Sequence, residues 1–205
     1  QDLSGKDLRG INFHNANLEN ADLTNITISK IIQFYDKPKC SHPNDAFLDN
    51  LFLERCLINT LKNELVRTDF SNANLKEVTI SLSGNNDFIH FVDFTGTDMS
   101  GIDFSGLAFR ACKFNGVDFS NINMDNVKFV LCDFSDAKLN NSKFFKTIFH
   151  NVSFNNAKII DASFKDSYFI DFVNFSDADL KGTSFDEMNV LGNIVLSCKN
   201  NQICD

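Results

Sequence analysis

From Val92 to Phe169 the chain reads VDFTG TDMSG IDFSG LAFRA CKFNG VDFSN INMDN VKFVL CDFSD AKLNN SKFFK TIFHN VSFNN AKIID ASFKD SYF. Sixteen consecutive five-residue units hold one register, each centred on Phe, Leu, Met or Ile. A period of five matches neither a 3.6-residue helix nor a long alternating strand. It matches a chain that runs extended for about three residues, turns a corner and repeats. The centre residue and the small residue two before it, such as Ala137 or Ala162, then point inward while their neighbours face out.

Working outward, the N-terminal end repeats the pattern in QDLSG, KDLRG, INFHN, ANLEN, ADLTN and ITISK. Shorter runs follow at AFLDN, LFLER and CLINT, then at TDFSN, ANLKE and VTISL. After a one-residue slip near Phe172 come VNFSD, ADLKG, TSFDE and MNVLG. Of the 23 Phe, 16 occupy unit centres, far above the one in five that random placement gives. Eight of the nine Gly fall two residues after a centre, and Gly84 alone is out of phase. Asn and Asp otherwise often fill that place, as at Asn121, Asn126, Asp136 and Asp161. These residue types tolerate the positive φ of a tight corner.

ANLEN, ADLTN, ANLKE and ADLKG resemble the Ala-(Asp/Asn)-Leu-x-x consensus of the pentapeptide-repeat family, with Phe-centred units as a variant. The resemblance covers most of the chain except residues 31–45, 81–91 and the tail 193–205. It implies an all-β fold, a right-handed quadrilateral β-helix with four units per coil, forming a single domain over 1–205. Counting all units gives about ten coils, and stacked strands about 4.8 Å apart give a rod on the order of 45–50 Å long. The family likeness and the abundance of Asn also point to a bacterial origin.

Residues twenty apart should lie above one another. Phe94, Phe114, Phe134 and Phe154 then form an inner ladder, with Val92, Cys112, Cys132 and Val152 as a small-residue column beside it. Cys112, Cys132 and Cys56 read as small buried core residues. No His or second Cys accompanies them at ligand spacing, so neither a metal nor another cofactor is expected. Cys40, Cys198 and Cys204 lie outside the repeats, and Cys198 and Cys204 could close a small disulfide loop in an oxidising compartment. The cysteine usage fits a cytoplasmic protein or one exported after processing. Entry into the repeat directly after Gln1 suggests a processed or trimmed N-terminus.

The outward positions carry the functional reading. Three faces of the central block are mainly polar, whereas the fourth presents Val130, Leu131, Phe145, Ile148, His150, Tyr168 and Ile170. Contiguous exposed apolar surface marks an interface. Two readings follow: a partner or self-association surface, or a strip covered by the chain's own insertion or tail. The interruptions at 31–45, which holds Pro38 and Pro43, and at 81–91 supply loop candidates Tyr35, His42 and His90. Loops projecting from a rigid scaffold commonly carry function.

The net charge of -8 argues against direct nucleic-acid binding, and no 18-residue apolar run suggests a membrane span. Some relatives imitate duplex DNA in charge and bind gyrase, a type II topoisomerase, which makes a DNA-mimic modulator the alternative function. Residues 92–170, however, hold nine acidic and eight basic residues and are nearly neutral. Mimicry needs a sustained negative surface. No HExxH, CxxC, GxSxG, phosphate-binding or dinucleotide motif appears, and a filled convex rod offers no concave pocket. The sequence therefore predicts a non-catalytic scaffold that binds a protein partner or itself.

Overall fold

The computed structural model of the chain describes residues 2–4, 18, 21–23, 27–29, 68–81, 89–90 and 92–204. Among them run ten short strands: β1 (Thr27–Ser29), β2 (Thr68–Asp69), β3 (Thr79–Ser81), β4 (Ile89–His90), β5 (Val92–Asp93), β6 (Ala108–Arg110), β7 (Lys128–Val130), β8 (Ile148–Ser153), β9 (Tyr168–Asn174) and β10 (Asn189–Val195). Every strand pair is parallel, and the largest sheet has the order β10-β9-β8-β7-β6-β4. Parallel partners twenty residues apart, as in Phe109↔Phe129↔Phe149↔Phe169, define a parallel β-solenoid of four sides.

Unit centres fall on four inner columns. The first stacks Leu18, Phe70, Phe94, Phe114, Phe134, Phe154 and Phe175; the second, Leu23, Leu75, Met99, Phe119, Leu139, Ile159 and Leu180. Phe104, Met124, Phe144 and Phe164 form the third, and Ile89, Phe109, Phe129, Phe149 and Phe169 the fourth. All of these side chains are buried. In the first column the rings stack face to face, Phe114 on Phe134 at 4.8 Å and Phe134 on Phe154 at 5.3 Å. Each buried ring contributes roughly 1.5–3 kcal/mol of apolar transfer.

Corners repeat as the five-residue period requires. The residue two after a centre lies at positive φ, including Asn121 (64°), Asp136 (62°) and Gly116 (68°). Ala111, Leu131 and Lys146 occupy the same place at 51–56°, so the corner imposes its geometry even on unsuited residue types. The polar residue before a centre has a local task. Asp69, Asp93, Asp98, Asp103, Asp118 and Asp133 each accept, through Oδ1, the N–H of the Ser or Thr two residues on. The recurrent Asp-x-Ser/Thr is thus a corner clamp as well as a solvated face.

Hydrogen bonds between coils run both ways along the rod. Phe119 N donates up to Lys138 O at 2.7 Å, and Lys138 N donates down to Val117 O at 2.9 Å. Buried hydroxyls also reach across coils, Ser142 Oγ to Phe119 O and Thr147 Oγ1 to Met124 O. Cys112 and Cys132 are buried free thiols, and desolvation, reinforced by Cys112, pushes the Cys132 thiol well up.

One sequence expectation is corrected. Asp22 pairs directly with Asn74, and Thr27, Ile28 and Ser29 pair with Thr79, Ile80 and Ser81. The coil ending at β1 therefore stacks straight onto the coil holding Asn74, with no coil interposed. The units AFLDN, LFLER and CLINT were counted toward ten coils, but they do not separate these two levels. Residues 31–60, with the first interruption, lie outside the described residues. The four-residue excess in the later step, from Asn74 to Asp98, falls between Ser81 of β3 and Ile89 of β4, within the second interruption.

Candidate interaction surface

The face built from β4 and β6–β10 is the longest continuous sheet, and its outward residues alternate with the Phe column. Register places Ala108, Lys128, Ile148, Tyr168 and Asn189 in one outer column, and Arg110, Val130, His150, Ile170 and Leu191 in the other. The sequence-predicted strip thus lies on one face, but its exposure is uneven. Val130 is buried at 6% exposure, while Leu131, Phe145, Ile148, His150 and Ile170 are half-buried. Tyr168 is exposed.

The apolar exposure concentrates farther along the rod. Tyr168 (38%), Phe172 (48%), Val190 (43%) and Leu191 (61%) are the exposed large hydrophobics among the described residues. Three of these were absent from the sequence-predicted strip. Phe172 is the extra residue of a bulge, since His150 pairs with Ile170 but Val152 pairs with Val173. That bulge is the slip seen in the repeat, and an inserted residue pushed out of the inward register was its available signal. Val190 and Leu191 lie within the last unit, MNVLG, where the period marks Val190 as an inward centre and gives no sign of its exposure.

Polar partners frame the strip. His150 Nε2 lies 2.7 Å from Asp171 Oδ2, and Phe172 N donates to Asn151 Oδ1. Lys146 Nζ stands 4.9 Å from the Phe145 ring centroid, a cation–π contact that keeps the ring against its own coil. Of the loop candidates, His90 lies in β4 and pairs with Arg110, whereas Tyr35 and His42 lie outside the described residues. Cys198 and Cys204 are joined in a disulfide.

A second feature lies on other faces. A cavity of about 510 Å³ opens between two coils, lined by Gly96, Thr97, Asp98, Ser100, Gly116, Asp118, Ser120 and Ile122. Its carboxylates belong to a column of mixed sign: Asp98, Asp118, Lys138, Lys158, Asp179 and Lys199. Lys138 reaches Asp118 at 3.3 Å and Lys113 reaches Asp93 at 3.0 Å. Partial burial opposes ionisation of both carboxyls, but hydrogen bonds from Thr95 and Lys113 hold Asp93, and those from Ser120 and Lys138 hold Asp118, below the ordinary aspartate value.

Comparison with known proteins places this architecture. The family model for pentapeptide repeats matches in eight copies over residues 1–29, 90–129, 103–141 and 132–169. Among solved structures, HetL, a pentapeptide repeat protein involved in heterocyst differentiation regulation from the cyanobacterium Nostoc sp. strain PCC 7120, is 12% identical, covering 93% of this chain and 86% of that one at a TM-score of 0.32. Full-length QnrB1, a plasmid-mediated fluoroquinolone resistance protein, is 16% identical, covering 98% of this chain and 80% of that one at 0.33. Rfr23, from the cyanobacterium Cyanothece 51142, is 14% identical, covering 72% of this chain and 99% of that one at 0.31. No curated protein sequence matches the chain.

Proposed function

The chain belongs to the pentapeptide-repeat family, and from that premise we propose that it is a non-catalytic protein-binding module. Its contact surface is the outer side of the long sheet toward the C-terminal end: Ile148, Tyr168, Ile170, Phe172 and Leu191. The observation that carries this reading is the register of the exposed residues. Ile148 pairs with Tyr168 and Ile170 with Leu191, so the apolar side chains adjoin across β8, β9 and β10. A rod whose interior is already filled by phenylalanine has no core use for them. The half-buried Leu131, Phe145 and His150 border this patch.

The mixed signs of the column from Asp98 to Lys199 speak against imitation of a uniformly negative duplex. The test is comparative affinity capture with the wild type and a Tyr168→Asp/Leu191→Asp variant, each checked for native circular dichroism. Both positions are exposed, so the variant should fold. A partner retained by the wild type and lost by the variant is expected; identical captured sets would overturn the proposal.

A further inference from the structure

The turn that holds β10 is closed on one side only among the described residues. Beyond β10 the chain crosses the top of the first two columns. Lys199 N donates to Ala178 O, and Asn201 Nδ2 donates to Leu180 O at 2.8 Å and to Thr183 O at 2.9 Å. The Cys198–Cys204 disulfide ties this segment, and Ile203 and Cys204 pack against the core. That cap does not extend over β10. Val190 occupies the column of Phe109, Phe129, Phe149 and Phe169, each nearly inaccessible, yet it is itself 43% exposed.

Among the described residues, strand β10 is also the outermost strand of its sheet, paired with β9 alone. Register with β9 turns the N–H and C=O of Val190, Gly192 and Ile194 toward the free edge. Natural edge strands are kept from pairing by brevity, charge, proline or a bulge. The sequence NVLGNIV has seven residues, no charge and no proline, and its pairing with β9 is unbroken. An open row of backbone groups and an uncovered core position thus coincide on one strand.

Charge indicates the occupant. Residues 171–205 contain six acidic and two basic residues, net -4, so two copies meeting at this end would repel. Asp186 and Glu187 are exposed just before β10, and Glu187 meets one lysine, Lys165, at 3.6 Å in an exposed pair. We infer that β10 is a docking edge for an extended segment of a different protein. That segment pairs parallel to β10, places an apolar side chain over Val190, and carries basic residues at its N-terminal flank against Asp186 and Glu187. This is strand addition to a sheet edge, with backbone bonds giving affinity and the flank giving selectivity. It rests on the reading of the chain as a protein-binding module but uses the sheet's edge, not its outer face.

The experiment titrates a fluorescein-labelled Lys-Lys-Val-Thr-Val-Thr-Val amide into the folded chain, with a Glu-Glu counterpart and a version N-methylated at alternate residues. Saturable binding of the lysine peptide is expected, about tenfold weaker binding of the glutamate peptide at low salt, and loss of binding on N-methylation. Glu187→Lys should narrow or reverse the preference. Val190→Lys, an inward charge of the kind that protects natural edges, should abolish binding, whereas Ile148→Asp/Ile170→Asp should leave it intact even as that variant tests the outer face. The inference is overturned by no saturable binding, by equal binding of the two charged peptides, or by indifference to N-methylation, which needs no change to the protein. It is equally overturned if sedimentation shows a dimer that Val190→Lys dissolves, because a second copy would then occupy the edge.

Discussion

Two neighbouring coil boundaries in the central block of the rod behave differently. Between the coil centred on Phe114, Phe119, Met124 and Phe129 and the coil above it, Phe119, Asn121, Met124 and Asn126 donate to Lys138, Asn140, Lys143 and Phe145 at 2.7–2.9 Å. Lys138 and Lys143 donate back to Val117 and Ile122. One coil lower, the corresponding amides of Met99, Gly101, Phe104 and Gly106, and those of Asp118 and Asn123, make no bond across the boundary among the described residues. The cavity at Asp98 and Asp118 opens there.

Ring order changes at both boundaries, so it does not by itself account for the difference. The lower coil places Phe on the first, third and fourth columns, and the next places it on the first, second and fourth. Phe119 therefore rises over Met99 and meets Phe104 edge-on, centroids 5.6 Å apart at 82°, rather than stacking on a like ring. The backbone ladder stays closed where columns continue ring on ring, as at Phe144 and Phe164 (4.7 Å, 10°), and also where Phe119 lies under Leu139 and Met124 under Phe144. Five-residue periodicity decides which side chains enter the core. It does not by itself decide how tightly neighbouring coils join.

This contrast can be broken most severely at the closed boundary. Phe134→Ala, which empties the centre of a stacked column, should cost about 3–5 kcal/mol in urea unfolding. Phe119→Ala should cost distinctly less, because the open boundary can close over part of the space; equal costs would refute the account. Native-state hydrogen exchange reads the ladder directly. Amides of Gly101, Phe104 and Gly106 should exchange about ten to a hundred times faster than those of Asn121, Met124 and Asn126. The contrast should shrink in Phe119→Leu/Met124→Phe, which restores the ring order of the neighbouring coils. That double variant should gain about 1 kcal/mol and slow exchange at Gly101, and an unchanged exchange rate would separate ring order from the opening.

The smallest effect is electrostatic. The Asp93 carboxyl is held below the ordinary aspartate value of 3.8, so its contribution is present above that pH and is lost as pH falls toward the lower folded value. Asp93→Asn, across a bonded boundary, should flatten the acid limb of stability below about pH 4, as measured by thermal unfolding from pH 2 to 6.

Much of this was legible in the sequence. Columns such as Phe94 to Phe154 follow from spacing alone, and corners were marked where Gly, Asn or Asp stood two residues past a centre. Corners at Leu131 and Lys146 were not marked by residue type, because the fold imposes positive φ there regardless. The apolar strip was read only in part. Val130 proved buried, while Phe172 escaped because a bulge departs from the period, and Leu191 because its exposure in the last unit is not marked by spacing. The direct pairing of Asp22 with Asn74 was equally hidden, since the five-residue spacing of AFLDN, LFLER and CLINT continues the period in the sequence between them.

The up-and-down alternation of the inter-coil bonds has a consequence for both ends of the rod. In an α-helix the peptide dipoles add, so each terminus carries a partial charge whatever its sequence. Here the dipole of Phe119 N–H toward Lys138 is answered by that of Lys138 N–H toward Val117, and little polarity accumulates with length. Adding or deleting a coil would leave the electrostatic character of the tips almost unchanged. Charge selectivity at an end is then written in side chains, and a few substitutions near Asp186 and Glu187 would suffice to redirect it.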